Sequence, residues 1–124
     1  MIQISPQQQI WIDIRMLSKR MGYDTYDYLP NDTVEYPFVF IGEQFKQDIR
    51  EHKDYLNGQT QVTVHVWHND WRKRGTVTRM MAEIERVVRD LYRFDVQGVN
   101  TQVLTDNSTG SDLLHGVLEI DIKY

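Results

Sequence analysis

The chain of 124 residues contains no cysteine and only three prolines. The absence of cysteine excludes structural disulfides and thiolate metal sites, and it is typical of a protein made in a reducing compartment. No apolar run approaches the roughly 20 residues that a membrane helix needs. Residues Met1 to Pro6 also lack the basic start and the apolar segment of a signal peptide. We therefore expect a protein that is made in the cytoplasm of the cell that encodes it and has no membrane partner.

An excess of positive charge is missing as well. The formal net charge is -4, with 14 lysines and arginines against 18 aspartates and glutamates. General nucleic-acid binders carry a basic surface, so we expect no specific nucleic-acid partner. Hydrophobic residues make up 40% of the chain and charged residues 26%, which is ordinary for a globular domain. The length fits a single domain spanning residues 1–124.

The stretch from Tyr36 to Phe45, which reads YPFVFIGEQF, contains an unbroken apolar run at residues 38–41. Pro37 favours an extended conformation at the residue before it and offers no backbone donor. Residues 38–41 are aromatic or β-branched, which favours a strand over a helix. A strand that is apolar on both faces needs two covers. One cover can be a helix of the same chain, and we expect the other to be a second layer or another subunit.

The N-terminal part of the chain predicts a helix over residues 6–21. Ser5 can cap this helix, and Gly22 is a natural residue just beyond its end. Apolar residues recur at helical spacing, namely Ile10, Ile14, Leu17 and Met21. An alternating strand is the competing interpretation, supported by Ile10, Ile12, Ile14 and Met16. The cap and the basic residues near the end of the segment favour the helix.

A second helix is predicted from Thr76 to Tyr92, with Thr76 or Gly75 as its cap. Its apolar stripe is formed by Val77, Met81, Ile84, Val88 and Leu91, and is widened by Met80 and Val87. The helix is too short for a two-stranded coiled coil, so packing on a sheet is the favoured interpretation.

Three further strands are predicted over Thr60–Trp67, Val99–Leu104 and Leu113–Tyr124, because apolar residues alternate in each of them. The polar tract 106–112 between the last two is typical of a hairpin loop. The resulting order is helix–strand–strand–helix–strand–strand. It predicts an α+β domain with a four-stranded, mainly antiparallel sheet and two helices on one face.

The segment Lys46–Gln59 is strongly charged and has few apolar anchors. Fixing ten such residues would cost on the order of 10–20 kcal/mol of backbone entropy. We therefore expect this segment to be mobile in the free subunit and to become ordered on assembly.

Chemistry-bearing residues do not form a catalytic motif. His65 and His68 are three positions apart, which places them on opposite faces of a strand, so they cannot chelate a metal together. His52 and His115 are isolated in the sequence. Glu119 and Asp121 share a strand face, where paired carboxylates can act in acid–base chemistry, but a solvated or interface-lining face is the favoured interpretation. We expect no enzymatic activity, no metal and no cofactor.

Aromatic and basic residues cluster at Trp67, Trp71, Arg72, Lys73 and Arg74. Such a cluster can grip single-stranded nucleic acid. It is also typical of a protein–protein hot spot. The acidic balance of the chain favours protein contact.

Four segments together resemble the tail-completion proteins of long-tailed bacteriophages, also called tail terminator or tail-to-head joining proteins. They are the strands Pro37–Glu43 and Val62–Trp67, the helix Thr76–Tyr92 and the closing segment His115–Ile120. Their order covers nearly the whole chain. The tyrosine-rich segment before Tyr36 and the turn at Trp71 have no counterpart in a family signature.

The resemblance implies a non-enzymatic virion protein. Members of this family form a six-subunit ring at the head-proximal end of the tail tube, where they stop tube growth and face the capsid neck. The implied partners are other copies of the chain, the tail tube protein and a head-neck connector. The alternatives are another neck component, or a small nucleic-acid-associated binding domain. Under the ring hypothesis, the expected interface residues are Lys46, Asp48, Arg50, Glu51, Lys53, Asp54, Tyr55, Trp67, Trp71, Arg72, Lys73 and Arg74.

Overall fold

A computed structural model of the chain describes residues 5–30, 34–49, 57–90, 95–108, 110 and 112–123. It contains two α-helices, a short 3-10 helix and five strands in these ranges. The elements are α1 (Pro6–Arg20), β1 (Thr25–Tyr26), β2 (Phe38–Ile49), β3 (Asn57–His68), the 3-10 helix Trp71–Lys73, α2 (Arg74–Arg89), β4 (Asp95–Asp106) and β5 (Leu113–Lys123).

All five strands belong to one sheet, in the order β1-β2-β3-β5-β4. The pairs β2–β3, β3–β5 and β5–β4 are antiparallel, and β1 pairs parallel to β2. The predicted α+β class is confirmed, but the prediction of four strands is wrong. The fifth strand arises because the backbone after Asp24 runs beside β2, where the Val39 amide donates to the Asp24 carbonyl at 2.7 Å.

The hydrophobic core lies between one face of the sheet and the two helices. α1 contacts β1 and β2, α2 contacts β3, β4 and β5, and the helices contact each other. The core side chains on β3 and β5 alternate along each strand, as a sheet with one covered face requires. They are Val62, Val64, Val66, Leu114, Leu118, Ile120 and Ile122, each almost fully buried.

The start and the end of α1 follow the sequence prediction. The Ser5 hydroxyl accepts a hydrogen bond from the Gln8 amide at 3.2 Å. Gly22 follows the helix with a φ of 90°, a left-handed conformation that glycine adopts without steric cost. Ile10 and Ile14 are buried in the core. The helix interpretation is therefore confirmed over the alternating strand.

The start of α2 differs from the prediction. The helix begins at Arg74, and neither Thr76 nor Gly75 is its cap, because Lys73 occupies that position without a side-chain hydrogen bond. The reason is that the 3-10 helix runs directly into α2. Asp70 caps the 3-10 helix. α2 ends at Arg89, and its five buried residues are Val77, Met80, Met81, Ile84 and Val88. Leu91 and Tyr92 lie outside the described residues.

Gly116 allows α2 to lie close to β5. A Cβ atom at this position would come within 2.5 Å of Met81 Sδ and 2.9 Å of Val77 Cγ1. Both distances are shorter than van der Waals contact, so any larger residue would push the helix away from the sheet.

The segment Lys46–Gln59, predicted to be mobile in the free subunit, is strand at both of its ends. β2 continues to Ile49 and β3 begins at Asn57, and these two residues are paired across the hairpin. Backbone pairing needs no apolar side chains, so the charged sequence offered no pattern from which these strand ends could be predicted. The middle of the segment, residues 50–56, lies outside the described residues.

The expectation of two covers for residues 38–41 is met unevenly. Val39 and Ile41 are buried in the core beneath the helices. On the other face Phe38 is only 3% exposed, because Tyr26 and Tyr36 pack against its ring at 5.8 and 5.2 Å between ring centroids. Phe40 is half-buried. The chain therefore covers Phe38 by itself, and the expectation that this face depends on assembly is wrong at that position.

Candidate functional site

The face of the sheet turned away from the helices carries aromatic, imidazole and polar side chains. We call it the open face. By register and alternation, the positions that form it across the four long strands are Phe38, Phe40, Gln61, Thr63, His65, Trp67, Asn100, Gln102, Leu104, His115, Val117, Glu119 and Asp121. Neither α1 nor α2 covers it. Most of its side chains on β3 and β5 are half-buried, whereas those on β4 are exposed.

A stack of four rings runs across the open face. Phe40 and His65 stack at 5.3 Å, His65 and His115 at 4.9 Å, and His115 and Trp67 at 3.8 Å between ring centroids. His65 Nδ1 and His115 Nε2 are also 2.7 Å apart and share a hydrogen bond. Gly42 packs closely against the His65 ring, because a Cβ atom at this position would lie only 2.9 Å from His65 Nε2. This packing gives the open face a rigid aromatic surface.

The stack corrects one prediction and confirms another. His115 was expected to be isolated, but it contacts both His65 and Trp67, which the sequence separates from it by 50 and 48 positions. His65 and His68 do lie on opposite faces, as predicted. His68 is buried on the helix side, where its Nδ1 accepts from the Asp70 amide at 3.2 Å.

Trp67 leaves one polar atom without a partner. Its indole Nε1 is buried, and no described residue accepts its hydrogen bond. An unpaired buried donor costs about 1–3 kcal/mol. The same ring stacks on His115.

The open face does not assemble a catalytic constellation in the described part of the chain. Asp121 accepts a hydrogen bond from Gln61 Nε2 at 3.1 Å, so the two side chains satisfy each other across β3 and β5. Among the described residues, no three histidine or carboxylate side chains converge as a metal ion would require.

The basic turn before α2 is a second exposed feature. Trp71 is 67% exposed, and the side chains of the 3-10 helix have no buried member. Asp70 Oδ1 accepts from the Arg72 amide at 3.0 Å and from the Arg72 guanidinium at 3.1 Å. These bonds lower the pKa of Asp70 below its usual value. They also fix Arg72 beside the turn, while Lys73 and Arg74 are exposed to solvent.

The tyrosine-rich segment joins α1 to β2 and has one end exposed. Tyr23 donates a hydrogen bond to Glu83 of α2. Burial, followed by this bond and the charge of Glu83, raises the pKa of Tyr23 to about 12. Tyr28 and Leu29 are 62% and 60% exposed, so this segment also offers apolar surface for contact.

The predicted interface residues fall into separate places. Trp67 lies in the ring stack of the open face, and Trp71 to Arg74 form the exposed turn. The backbones of Lys46 and Asp48 are paired with Thr60 and Gly58 near the end of the hairpin. Five predicted contacts lie outside the described residues, namely Arg50, Glu51, Lys53, Asp54 and Tyr55. His65, His115 and Phe40 were not predicted to share a surface, since only the strand register brings them together.

Comparison with known proteins gives a likeness among solved structures. No family model matches the chain, and no curated protein matches it. The fold is similar to that of a chain in the virion of a native gene transfer agent particle, with a TM-score of 0.53 and 14% sequence identity. The match covers 92% of this chain and 90% of that chain. At this identity the likeness establishes a shared fold. No helix in the described part of the chain is long and apolar enough to span a membrane.

Proposed function

We propose that this chain is a structural protein of a phage-like virion and has no enzymatic role. The observation that carries the proposal is the fold, which corresponds over nearly the full length of both chains to a component of a gene transfer agent virion. Surfaces suited to contact, rather than a reactive pocket, dominate the described residues. The role of tail terminator comes from the four segments that resemble tail-completion proteins.

In this role the protein forms a six-subunit ring at the head-proximal end of the tail tube. One side of the ring copies the docking surface of the tube and binds its last layer. The other side does not accept another layer and faces the neck of the capsid. Aromatic residues and arginine are enriched among the residues that dominate binding at such interfaces. The ring stack of the open face and the exposed Trp71 turn are of this type.

The test is assembly with the predicted partners. Purified chain is mixed with tail tube protein and with neck protein from the same gene cluster. Light scattering after size exclusion and electron microscopy then report ring formation and tube length. We expect rings, and tubes that stop growing when the chain is added. A chain that stays monomeric with both partners present contradicts the proposal.

Binding of single-stranded DNA is a second candidate, favoured by one observation. Trp71 is 67% exposed beside Lys73 and Arg74, and stacking of bases on an aromatic ring with nearby cations is a common mode of binding. Retention of single-stranded DNA that falls steeply with salt, and that is lost in Trp71→Ala, supports this function. Equal retention by the Trp71→Ala variant contradicts it.

A further inference from the structure

The sheet has two outer edges, and the described residues occupy neither of them fully. β4 forms one edge along its whole length, Asp95–Asp106. β2 forms the other, where β1 pairs only with Val39 and Phe40. The outer edge of β2 from Ile41 to Ile49 carries no strand among the described residues. Unpaired backbone donors and acceptors at a sheet edge are a template for another strand.

The β4 edge has little of the protection that isolated sheets carry. Natural edge strands are blunted by lysine, proline, bulges or short length. β4 is 12 residues long, and residues 96–105 contain neither a charge nor a proline. Its one bulge lies near the start, between Val96 and Gly98. The rest of this edge pairs in continuous register with β5 and is uncharged from Gly98 to Thr105.

The surface beside β4 is also concave. A shallow depression of about 170 Å³ is lined by Asn100, Thr101, Gln102, Val117 and Glu119. Three of these residues belong to β4 itself. The depression lies over the β4–β5 pair, so it borders the edge strand on its inner side.

Strand direction identifies a second copy of the chain as the partner. β2 is antiparallel to β3, β3 to β5 and β5 to β4, so β2 and β4 run in opposite directions. A rotation about an axis along the strands places the β2 edge of one copy beside the β4 edge of the next. The two strands are then antiparallel, which is the more stable pairing. Repeating this head-to-tail contact closes a ring and leaves no free edge.

We propose that copies of this chain join through an antiparallel pair between the β4 edge of one copy and the β2 edge from Ile41 to Ile49 of its neighbour. The proposal rests on the proposed ring function and identifies its subunit interface. A symmetric β4–β4 dimer is the competing arrangement, but it would leave both β2 edges unpaired.

Disulfide trapping tests the pairing. Because the chain has no native cysteine, each disulfide forms only between the introduced residues. One variant carries Gln47→Cys on β2. The others carry Asp95→Cys, which the strand register places level with Gln47, or Asn100→Cys or Gln102→Cys on β4, which cover a sheared pairing. By register these positions belong to the same sheet face, and a disulfide requires Cα atoms within about 7 Å. Thr101→Cys, which belongs to the other face, is the matched control.

Single-cysteine variants are mixed under assembly conditions, oxidised and separated without reductant. We expect a mixed disulfide between Gln47→Cys and at least one of the three β4 variants, at least tenfold more abundant than with Thr101→Cys. Rings that form without this mixed product, or Gln102→Cys that links only to itself, overturn the edge pairing and leave the ring function intact. A chain that never forms rings contradicts both proposals.

A charge placed on the edge gives an independent readout. Thr101→Lys adds a cation to β4 at a position that is exposed in the single chain, so circular dichroism should report an unchanged fold. We expect the ring to dissociate at a concentration at least tenfold higher than wild type does. Ala82→Lys on the exposed side of α2 is the control and should assemble normally. Equal assembly by both variants contradicts the proposal.

Discussion

At the scale of single residues, Gly116 controls the distance between α2 and the sheet. We expect Gly116→Ala to lower the free energy of unfolding by about 1–3 kcal/mol, because the added methyl group overlaps Met81 and Val77. Urea unfolding measures the change. Gly75→Ala is the control, since nothing lies within 4 Å of its Cβ position. It should cause no loss, and a gain of up to about 1 kcal/mol is expected from helix propensity.

The contact of Tyr23 with Glu83 should make the stability of the folded chain depend on pH. Its pKa is raised from 10.0 to about 12 in the folded chain, so folding favours the neutral phenol. The stabilisation is complete below pH 10 and is lost as the pH rises towards 12. We expect Tyr23→Phe to be less stable by about 0.5–1 kcal/mol at neutral pH, where the bond to Glu83 is missing.

The difference between wild type and Tyr23→Phe should shrink between pH 10 and pH 12. Thermal unfolding at a series of pH values measures it. Tyr28→Phe is the control, because Tyr28 is 62% exposed and should show no such convergence. A difference that stays constant or widens above pH 10 contradicts the role given to the Glu83 contact.

Residue contacts were the least predictable part of the structure. The opposite faces of His65 and His68 followed from strand alternation alone. The bond between His65 and His115 did not, because it depends on β3 pairing with β5 in a register that places Trp67 opposite His115. The sequence contains no local signal for that register. The same reason explains why Phe40 was not recognised as part of a surface.

At the scale of elements, the buried side of α1 can be tested directly. Ile14 is 1% exposed and Met16 is 47% exposed. We expect Ile14→Ala to cost about 2–5 kcal/mol and Met16→Ala less than about 0.5 kcal/mol, measured by urea unfolding. The alternating-strand interpretation places both residues on one face and predicts similar losses. Equal costs would therefore contradict the helix.

Element types were predictable where side-chain periodicity was strong. α1, α2 and the inner strands β3 and β5 follow their apolar patterns. Backbone-driven features did not leave such a pattern. β1 is held by two paired positions and a carbonyl contact from Asp24, and the end of β2 is paired through its backbone. The start of α2 was misplaced because Asp70, four residues upstream, provides the cap of the preceding 3-10 helix.

At the scale of the whole molecule, helices cover one face of the sheet and leave the other face uncovered. The helices bury the core face, whereas the open face presents a rigid ring stack and β4 presents an unprotected edge. A single chain gains nothing from a long uncharged edge strand. In the proposed ring, a neighbouring copy would pair with it. The single domain over residues 1–124 stays a prediction, as does the role at the end of a tail.

The location of the chain in particles tests the central claim most directly. Particles are purified from the cells that encode the chain, and an affinity tag on the chain is labelled with gold for electron microscopy. We predict label at the junction of head and tail, with a copy number of about one ring relative to the tube protein. Particles that lack the chain, or label spread along the whole tail, would contradict the account.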